Sequence, residues 1–402
     1  MTSTHTSSGH VNLAARSLGA SVTAANDESF GEKENLVLDA PADFRPGSYG
    51  HKGEIVDGWE TRRRREPGGD WALVRLGSPG VISAVDVDTS FFTGNFPPTC
   101  SVDACGVEGY PSPEDLERLE VGWEEVVPLA DLRGDSHNVF AVDNPTRFTH
   151  VRLNIHPDGG VARLRVLGRV SPDPRDFDGL TVDLASRALG GLVQQSSDDF
   201  YSSAGVLNLP GPALNMGGGW ETQRRRGPGN DWAIVCLAAP ALIRMVELDT
   251  SYYKYNASKE FALQACLSST TPGSDSSAWV ELVPRTSLQP DTRHRFPIAD
   301  APEATHVRLD VFPDGGISRL RLFGGVPNDG RRRLGIDWLN TLPKQQALAV
   351  CTTRYGLSPP VAEGAVALRP WPVDATVASL LAVLPEAAAF GPLLGEASPR
   401  TP

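Results

Sequence analysis

The sequence predicts an all-β protein, two β-sandwich domains in tandem followed by a short helical tail, and three observations lead there. The first is a repeat: GWETRRRREPGGDW (Gly58 to Trp71) returns as GWETQRRRGPGNDW (Gly219 to Trp232), and the copies stay in step through DVDTSFF and ELDTSYY. Trp59 and Trp220, Asp88 and Asp249, and Cys105 and Cys266 all lie 161 residues apart, whereas His150 and His306 lie 156 apart, so the second copy is five residues shorter in between. That spacing far exceeds the roughly 20–50 residues of a solenoid repeat, so each copy is a domain with its own core. The second observation is a series of short β-branched, alternating runs, each closed by Gly, Pro, Asp or Asn. The third is how little of either copy carries helical spacing.

In chain order, residues 1–26 are rich in Ser, Thr and Ala and read as a disordered tail. The first copy occupies 27–170, with strands expected at Trp71–Leu76, Val81–Val87, Val126–Leu129, His150–Ile155 and Arg163–Leu167 and one or two helical turns at Pro113–Leu119. Residues 171–195 form a linker in which Leu184–Gln195 reads as a short helix, and 196–326 form the second copy. The remainder, 327–402, is rich in Ala, Leu and Pro with helical spacing at Trp338, Leu339 and Leu342. It lies outside both copies, so deletion after Val326 is expected to leave a folded, active protein.

A net charge of −12 over 402 residues argues against nucleic acid or an anionic membrane as the main partner. No apolar run reaches the roughly 18 residues of a spanning helix, and the start of the chain shows no secretory signal pattern. Five cysteines without CxxC spacing read as reduced thiols, so the expected location is the cytoplasm. A homo-oligomer is compatible with this composition.

The richest chemistry lies between Asp57 and Asp70. In an extended segment Arg62 and Arg64 project to one side and Arg63 and Arg65 to the other, so one pair can line a cleft and grip a carboxylate bidentately. The alternative is a solvated run, and the Pro-Gly-Gly turn before Asp70 is ordinary turn chemistry. Asp88 and Thr89 sit at a strand end, where a sandwich places its loops, although an Asp-Thr pair capping a turn is as common. His150 and Arg152 share one strand face, as do His306 and Arg308, and present a proton donor beside a cation. A strand histidine making one structural hydrogen bond is the competing reading. The GxSxG elbow, the Gly-rich phosphate loop and HExxH are all missing, so covalent serine or cysteine catalysis has no support. Metal need is left open, and nothing calls for an organic cofactor.

GWETRRRREPGGDW, DTSFFTGNFPP and HVRLNIHPDGGVARLRVLG together resemble the allantoicase family, and FGEKENLVL (Phe30–Leu38) is similar to its opening signature. The resemblance spans about residues 27–326. It implies two jelly-roll domains of the galactose-binding-like type and hydrolysis of allantoate to ureidoglycolate and urea, part of purine (allantoin) degradation. That chemistry asks for a carboxylate clamp, ureido partners, a base for water and a proton for departing urea. The resemblance then implies Arg62 or Arg64, with Arg152, as clamp, Thr89 and Asn95 as further substrate contacts, Glu60, Asp70 or Asp88 as base and His150 as acid. The second-copy equivalents are Glu221, Arg225, Asp231, Asp249, His306 and Arg308. Since GNFPP (Gly94–Pro98) and KENL (Lys33–Leu36) are altered in the second copy, the first is expected to hold the productive site. The tail, DWLNTLPKQQALAVCTTRYG, resembles the opening helices of a ureidoimidazoline decarboxylase but ends before that family's catalytic region. Two other readings stand beside the enzyme: a carbohydrate- or small-ligand-binding sandwich, and an inactive member of the family.

Overall fold

A computed structural model describes residues 9–51, 53–118 and 121–394. In the first copy one strand organises everything. Asp70–Asp88 is continuous over 19 residues, where the sequence suggested two separate strands. Its first half pairs with Ser21–Ala25 on one side and Arg147–His156 on the other; its second half pairs with Arg163–Val170 and His137–Ala141. The strand's partners therefore change across Gly77–Gly80, where it bends from one sheet of the sandwich into the other. Thr99–Cys105 and Glu124–Asp131 extend the first sheet, and Val11–Asn12 extends the second. All pairings are antiparallel, which gives the jelly-roll sandwich that the family resemblance implied.

Alternation along these strands puts Val74, Val85, Val87, Val151, Leu153, Leu164 and Val166 between the sheets, each essentially inaccessible to solvent. The second copy repeats the plan around Asp231–Asp249, which pairs with Leu192–Ser196, Glu303–Phe312, Arg319–Gly325 and Arg293–Pro297. Its core gathers Trp220, Val235, Val246, Phe261, Val307 and Leu320.

Three expectations need correction. The described part of the amino-terminal segment is ordered: Val11–Asn12 and Ser21–Ala25 are sheet strands, since Val11, Leu13 and Val22 are apolar enough to bury there. Residues 1–8 lie outside the described residues. The segment 184–195 is not a helix; it holds a 3-10 turn, Arg187–Leu189, and the strand Leu192–Ser196. With Val182–Asp183 also paired in the sheet, the second sandwich begins well before residue 196.

The tail is not an appendage either. Its helix Asn328–Thr341 contains the boundary between the two compact units: residues up to Asp337 group with the second copy, and Trp338–Arg369 with the first. Within the first unit Ser171 and Thr341 are in hydrogen-bond contact, and Gln346 Nε2 donates to Glu108 Oε1 at 2.8 Å. Within the second, Leu334 packs on the core and Arg331 pairs with Asp178. Removing the tail would uncover parts of both units, so dispensability no longer follows from its lying outside the repeat. Among the described residues no helix is long and apolar enough to cross a membrane.

Candidate active site

The loop end of the first sandwich is built around the short strand Trp59–Glu60, which pairs with Gly160–Val161 and bridges to Gly31. Trp59 anchors it: the indole is fully buried and its Nε1 donates to the Asp27 carbonyl at 2.8 Å. Phe92 fills the space beneath, and a Cβ on Gly160 would stand 1.9 Å from its ring, so only glycine lets the strands close over it. Period-two alternation then turns Glu60 away from the core. Burial raises the Glu60 carboxyl above its ordinary range, against the opposing effect of Asn95, whose Nδ2 donates to Oε1 at 2.7 Å. The other oxygen, Oε2, has no partner among the described residues. A carboxylate poised this way is a candidate base. The pair recurs as Glu221 and Asn256, so GNFPP does keep its asparagine in the second copy.

The arginine run divides by partner. Arg62 reaches Asp27, Nε to Oδ2 at 3.0 Å, with its side chain 74% exposed. Burial works to raise the Asp27 carboxyl, but the N–H groups of Arg62 and Ser29 hold it below its usual range. Arg64 is committed elsewhere: its N–H donates to Asp158 Oδ2 at 2.8 Å and its Nη1 to Asp70 Oδ1 at 2.6 Å. Asp70 is buried, and Asn26 donates to the same oxygen. Arg64 Nη1 and Asp70 Oδ1 thus hold one another, while Arg64 Nε and Asp70 Oδ2 are buried without a hydrogen-bond partner among the described residues. The second copy repeats the arrangement in Arg225 and Asp231 but has Gln223 where the first has Arg62. Arg63 and Arg65 are exposed, with no ion pair among the described residues.

The remaining candidates are not brought to this place. Asp88 is buried and accepts from both the N–H and the hydroxyl of Ser90, at 2.8 and 2.6 Å, so the turn reading prevails, as it does for Asp249 with Ser251. The Thr89 hydroxyl donates to the carbonyls of Arg133 and Ser136 and ties down a neighbouring loop. Arg152 pairs with Asp103 at 2.8 Å and lies over Trp123, while Arg308 pairs with Asp310 over Trp232. Both sit on an outer sheet face.

His150 is the clearest correction. It lies in mid-strand opposite Arg75 and Cys105, with Nδ1 at 2.8 Å from the Thr149 hydroxyl. Burial, with Arg75 nearby, pushes its pKa down to about 4, and burial lowers His306 too. A neutral, inaccessible imidazole is no acid for departing urea. Its effect is on stability: below the unfolded value of 6.5 the unfolded chain binds the proton first, so stability falls as pH drops from 6.5 towards 4. The loss reaches about 3 kcal/mol if the full shift is realised. His150→Gln should flatten that part of a pH-dependent denaturation series, and an unchanged slope would place the acid sensitivity elsewhere.

What the residue-by-residue reading missed is a cavity. Thirty-two residues separate Asp27 from Trp59, but only 22 separate Asp198 from Trp220. The ten extra residues of the first copy carry a hairpin, Tyr49–Gly50 with Gly53–Glu54, that walls a space of about 410 Å³ with Phe30, Gly31, Asn35, Ile55 and Asp57. In the second copy the short turn Met216–Gly218 takes that route; the Met216 carbonyl accepts from Tyr253 Oη, and its sulfur lies 3.5 Å from Asn256 Nδ2. The difference in spacing was the available signal. A second missed pair is Asp86 with His137 Nδ1, 2.8 Å apart, which the second copy replaces by Glu247 with Arg293 and Arg295. Among the described residues no group of three or more His, Cys, Asp or Glu side chains is arranged to hold a metal ion.

Comparison with known proteins agrees with this architecture. A model of the allantoicase repeat matches residues 11–171 and again 182–327, which also places the start of the second copy where its first strand is found. A probable allantoicase of Nocardia farcinica is 52% identical over 314 residues, which cover 78% of this chain and 93% of that protein. One of Streptomyces coelicolor is 48% identical over 336 residues, 81% and 88% of the two chains. The crystal structure of allantoicase from Saccharomyces cerevisiae superposes with a TM-score of 0.67 at 31% identity, over 80% of this chain and 94% of that one. With both repeats matched and such relatives aligned over most of its length, the chain belongs to the allantoicase family.

Proposed function

We propose that this protein hydrolyses allantoate to ureidoglycolate and urea at the loop end of its first copy. The observation that carries the reading is the half-buried Glu60, its carboxyl raised by burial, one oxygen held by Asn95 and the other free, on the strand that continues into Arg62. Glu60 takes a proton from water as the oxygen attacks the carbon bearing the two ureido groups. The C–N bond to one of them breaks, and the proton now on Glu60 passes to the leaving nitrogen, so the carboxylate is regenerated and no other acid is needed. Arg62, exposed and paired only with Asp27, grips the substrate carboxylate. The Arg64–Asp70 pair fixes the path of the strand. These steps assign no role to a cofactor, and the substrate is a small molecule in the cytoplasm.

Release of urea from allantoate by the purified protein tests this directly, and its absence would overturn the reading in favour of a binding module or an inactive relative. If Arg62 is the clamp, Arg62→Lys should raise KM by about 5- to 150-fold, the loss of one charge-assisted hydrogen bond at roughly 1–3 kcal/mol. Arg65→Lys, on the opposite side of the run, should leave KM near wild type. Equal, negligible effects would return the run to a solvated face.

A further inference from the structure

The cavity walled by the ten-residue insertion has a lining chemistry that selects its occupant. Phe30 and Ile55 are each about half exposed, 48% and 54%, and supply two apolar surfaces. Of the carboxylates in the lining, Asp57 is neutralised by Arg163 at 2.7 Å, while Glu32 and Glu54 have no ion-pair partner among the described residues. Glu54 Oε1 accepts from the Gly47 N–H at 3.1 Å, and Asn35 gives its amide N–H to the Gly58 carbonyl at 3.0 Å, which turns its oxygen towards other donors. Among the described residues His51 is the one basic side chain that lines the space. Such a lining repels a carboxylate and rewards a flat group rich in N–H. A carboxylate accepts two parallel N–H bonds from the edge of a planar ureido group just as it does from a guanidinium, and the apolar faces of Phe30 and Ile55 accommodate its plane.

We infer that this cavity is a ureido subsite, which sets the substrate with its carboxylate on the arginine strand and one ureido group between Phe30, Ile55, Glu32 and Glu54. The inference rests on the allantoate reading above and adds a direction to it. The two ends of the substrate differ in sign and donor count, and so do the two neighbouring surfaces. Asp57 belongs to both the lining and the approach to Trp59–Glu60, so a group held in the cavity borders the strand that carries the base. In the second copy the turn Met216–Gly218 stands in place of the hairpin.

The test uses the full chain, with N-methylurea as a probe that carries ureido N–H groups and no charge, and glyoxylate as one that carries a carboxylate and no N–H. Ile55→Trp fills the space, and Glu32→Gln halves the acceptor capacity without changing size. With allantoate turnover in the wild type, KM should rise about tenfold or more in Ile55→Trp and several-fold in Glu32→Gln, at unchanged melting temperature. N-methylurea should inhibit the wild type competitively and lose potency in both variants, while glyoxylate inhibition stays as it was. Wild-type KM in both variants, or a selective loss of glyoxylate inhibition, would overturn the subsite and leave the hydrolase reading intact. Should the wild type release no urea at all, the hydrolase reading falls by itself. Saturation-transfer NMR with N-methylurea then decides the cavity separately: binding lost in Ile55→Trp supports it, and no binding to the wild type refutes it.

Discussion

Glu60→Gln should lower kcat on allantoate by about 10²- to 10⁴-fold, the usual contribution of a positioned general base, and should do so without unfolding the protein. The amide keeps the hydrogen bond that Asn95 Nδ2 makes to Oε1 and the packing beside Gly31, and loses only the ability to take a proton. Stability should move the other way. Because burial raises the Glu60 carboxyl in the folded state, the folded chain binds that proton more tightly than the unfolded one, and the ionised form costs stability above the folded pKa. At neutral pH a neutral glutamine removes that cost, so the melting temperature should hold or rise as activity falls. The same shift makes wild-type kcat/KM decline on the acid side of neutrality from a pH above 4.5, and the limb should vanish in the residual activity of the variant. Glu221→Gln is the matched control. If it abolishes turnover as fully as Glu60→Gln does, the site is not confined to the first copy.

Trp59→Ala should cost about 3–5 kcal/mol, as truncation of a fully buried aromatic does, and lower the melting temperature of its unit by roughly 6–20 °C. The loss has two parts, the cavity left where the indole was and the Asp27 carbonyl that loses its donor. Trp220→Ala should cost the same, because Trp220 is equally buried and donates to the Asp198 carbonyl at 2.9 Å. The two pairs of substitutions therefore separate scaffold from chemistry: the tryptophans act alike in both copies and the glutamates do not. Calorimetry that resolves two transitions would show which unit each tryptophan supports. A silent Trp220→Ala would mean that the second loop end is not held by its indole.

The fold was legible because period-two burial and duplication are both written in single residues: Leu164 and Val166 are buried on either side of the less buried Arg165, and the pattern returns at Leu320 and Leu322 around Arg321. What stayed hidden was partnership. Nothing in RRRR says that Arg64 will be taken by Asp70 six residues on, or that Arg62 will find Asp27 35 residues earlier. His150 and Arg152 share a face as their spacing required, yet they partner Thr149 and Asp103 rather than Glu60, because alternation fixes the side of a strand but not the partners along it. Asn256 was obscured by its neighbours: Tyr255 and Ala257 disguise an asparagine that still meets its glutamate. The amino-terminal segment was misjudged on composition, although Val11, Leu13 and Val22 were enough to recruit it to the sheets.

The bend in the long central strand bears on how a chain with two homologous halves avoids assembling them wrongly. Exchange of equivalent segments is a characteristic failure of tandem homologues, and Asp70–Asp88 and Asp231–Asp249 offer the same hydrogen-bonding edges to the same partners. They differ at the bend, where the first copy has Gly77-Ser78-Pro79-Gly80 and the second has Ala238-Ala239-Pro240-Ala241. A Cβ at Gly77 would stand 2.7 Å from the backbone of Leu18 and Ala20, and one at Gly80 2.3 Å from the Arg169 carbonyl. The second copy's strand, threaded into the first copy's frame, would drive two methyl groups into main chain that has nowhere to go. The exchange needs both strands to trade places, so the close backbone approach at Gly77 and Gly80 disfavours it.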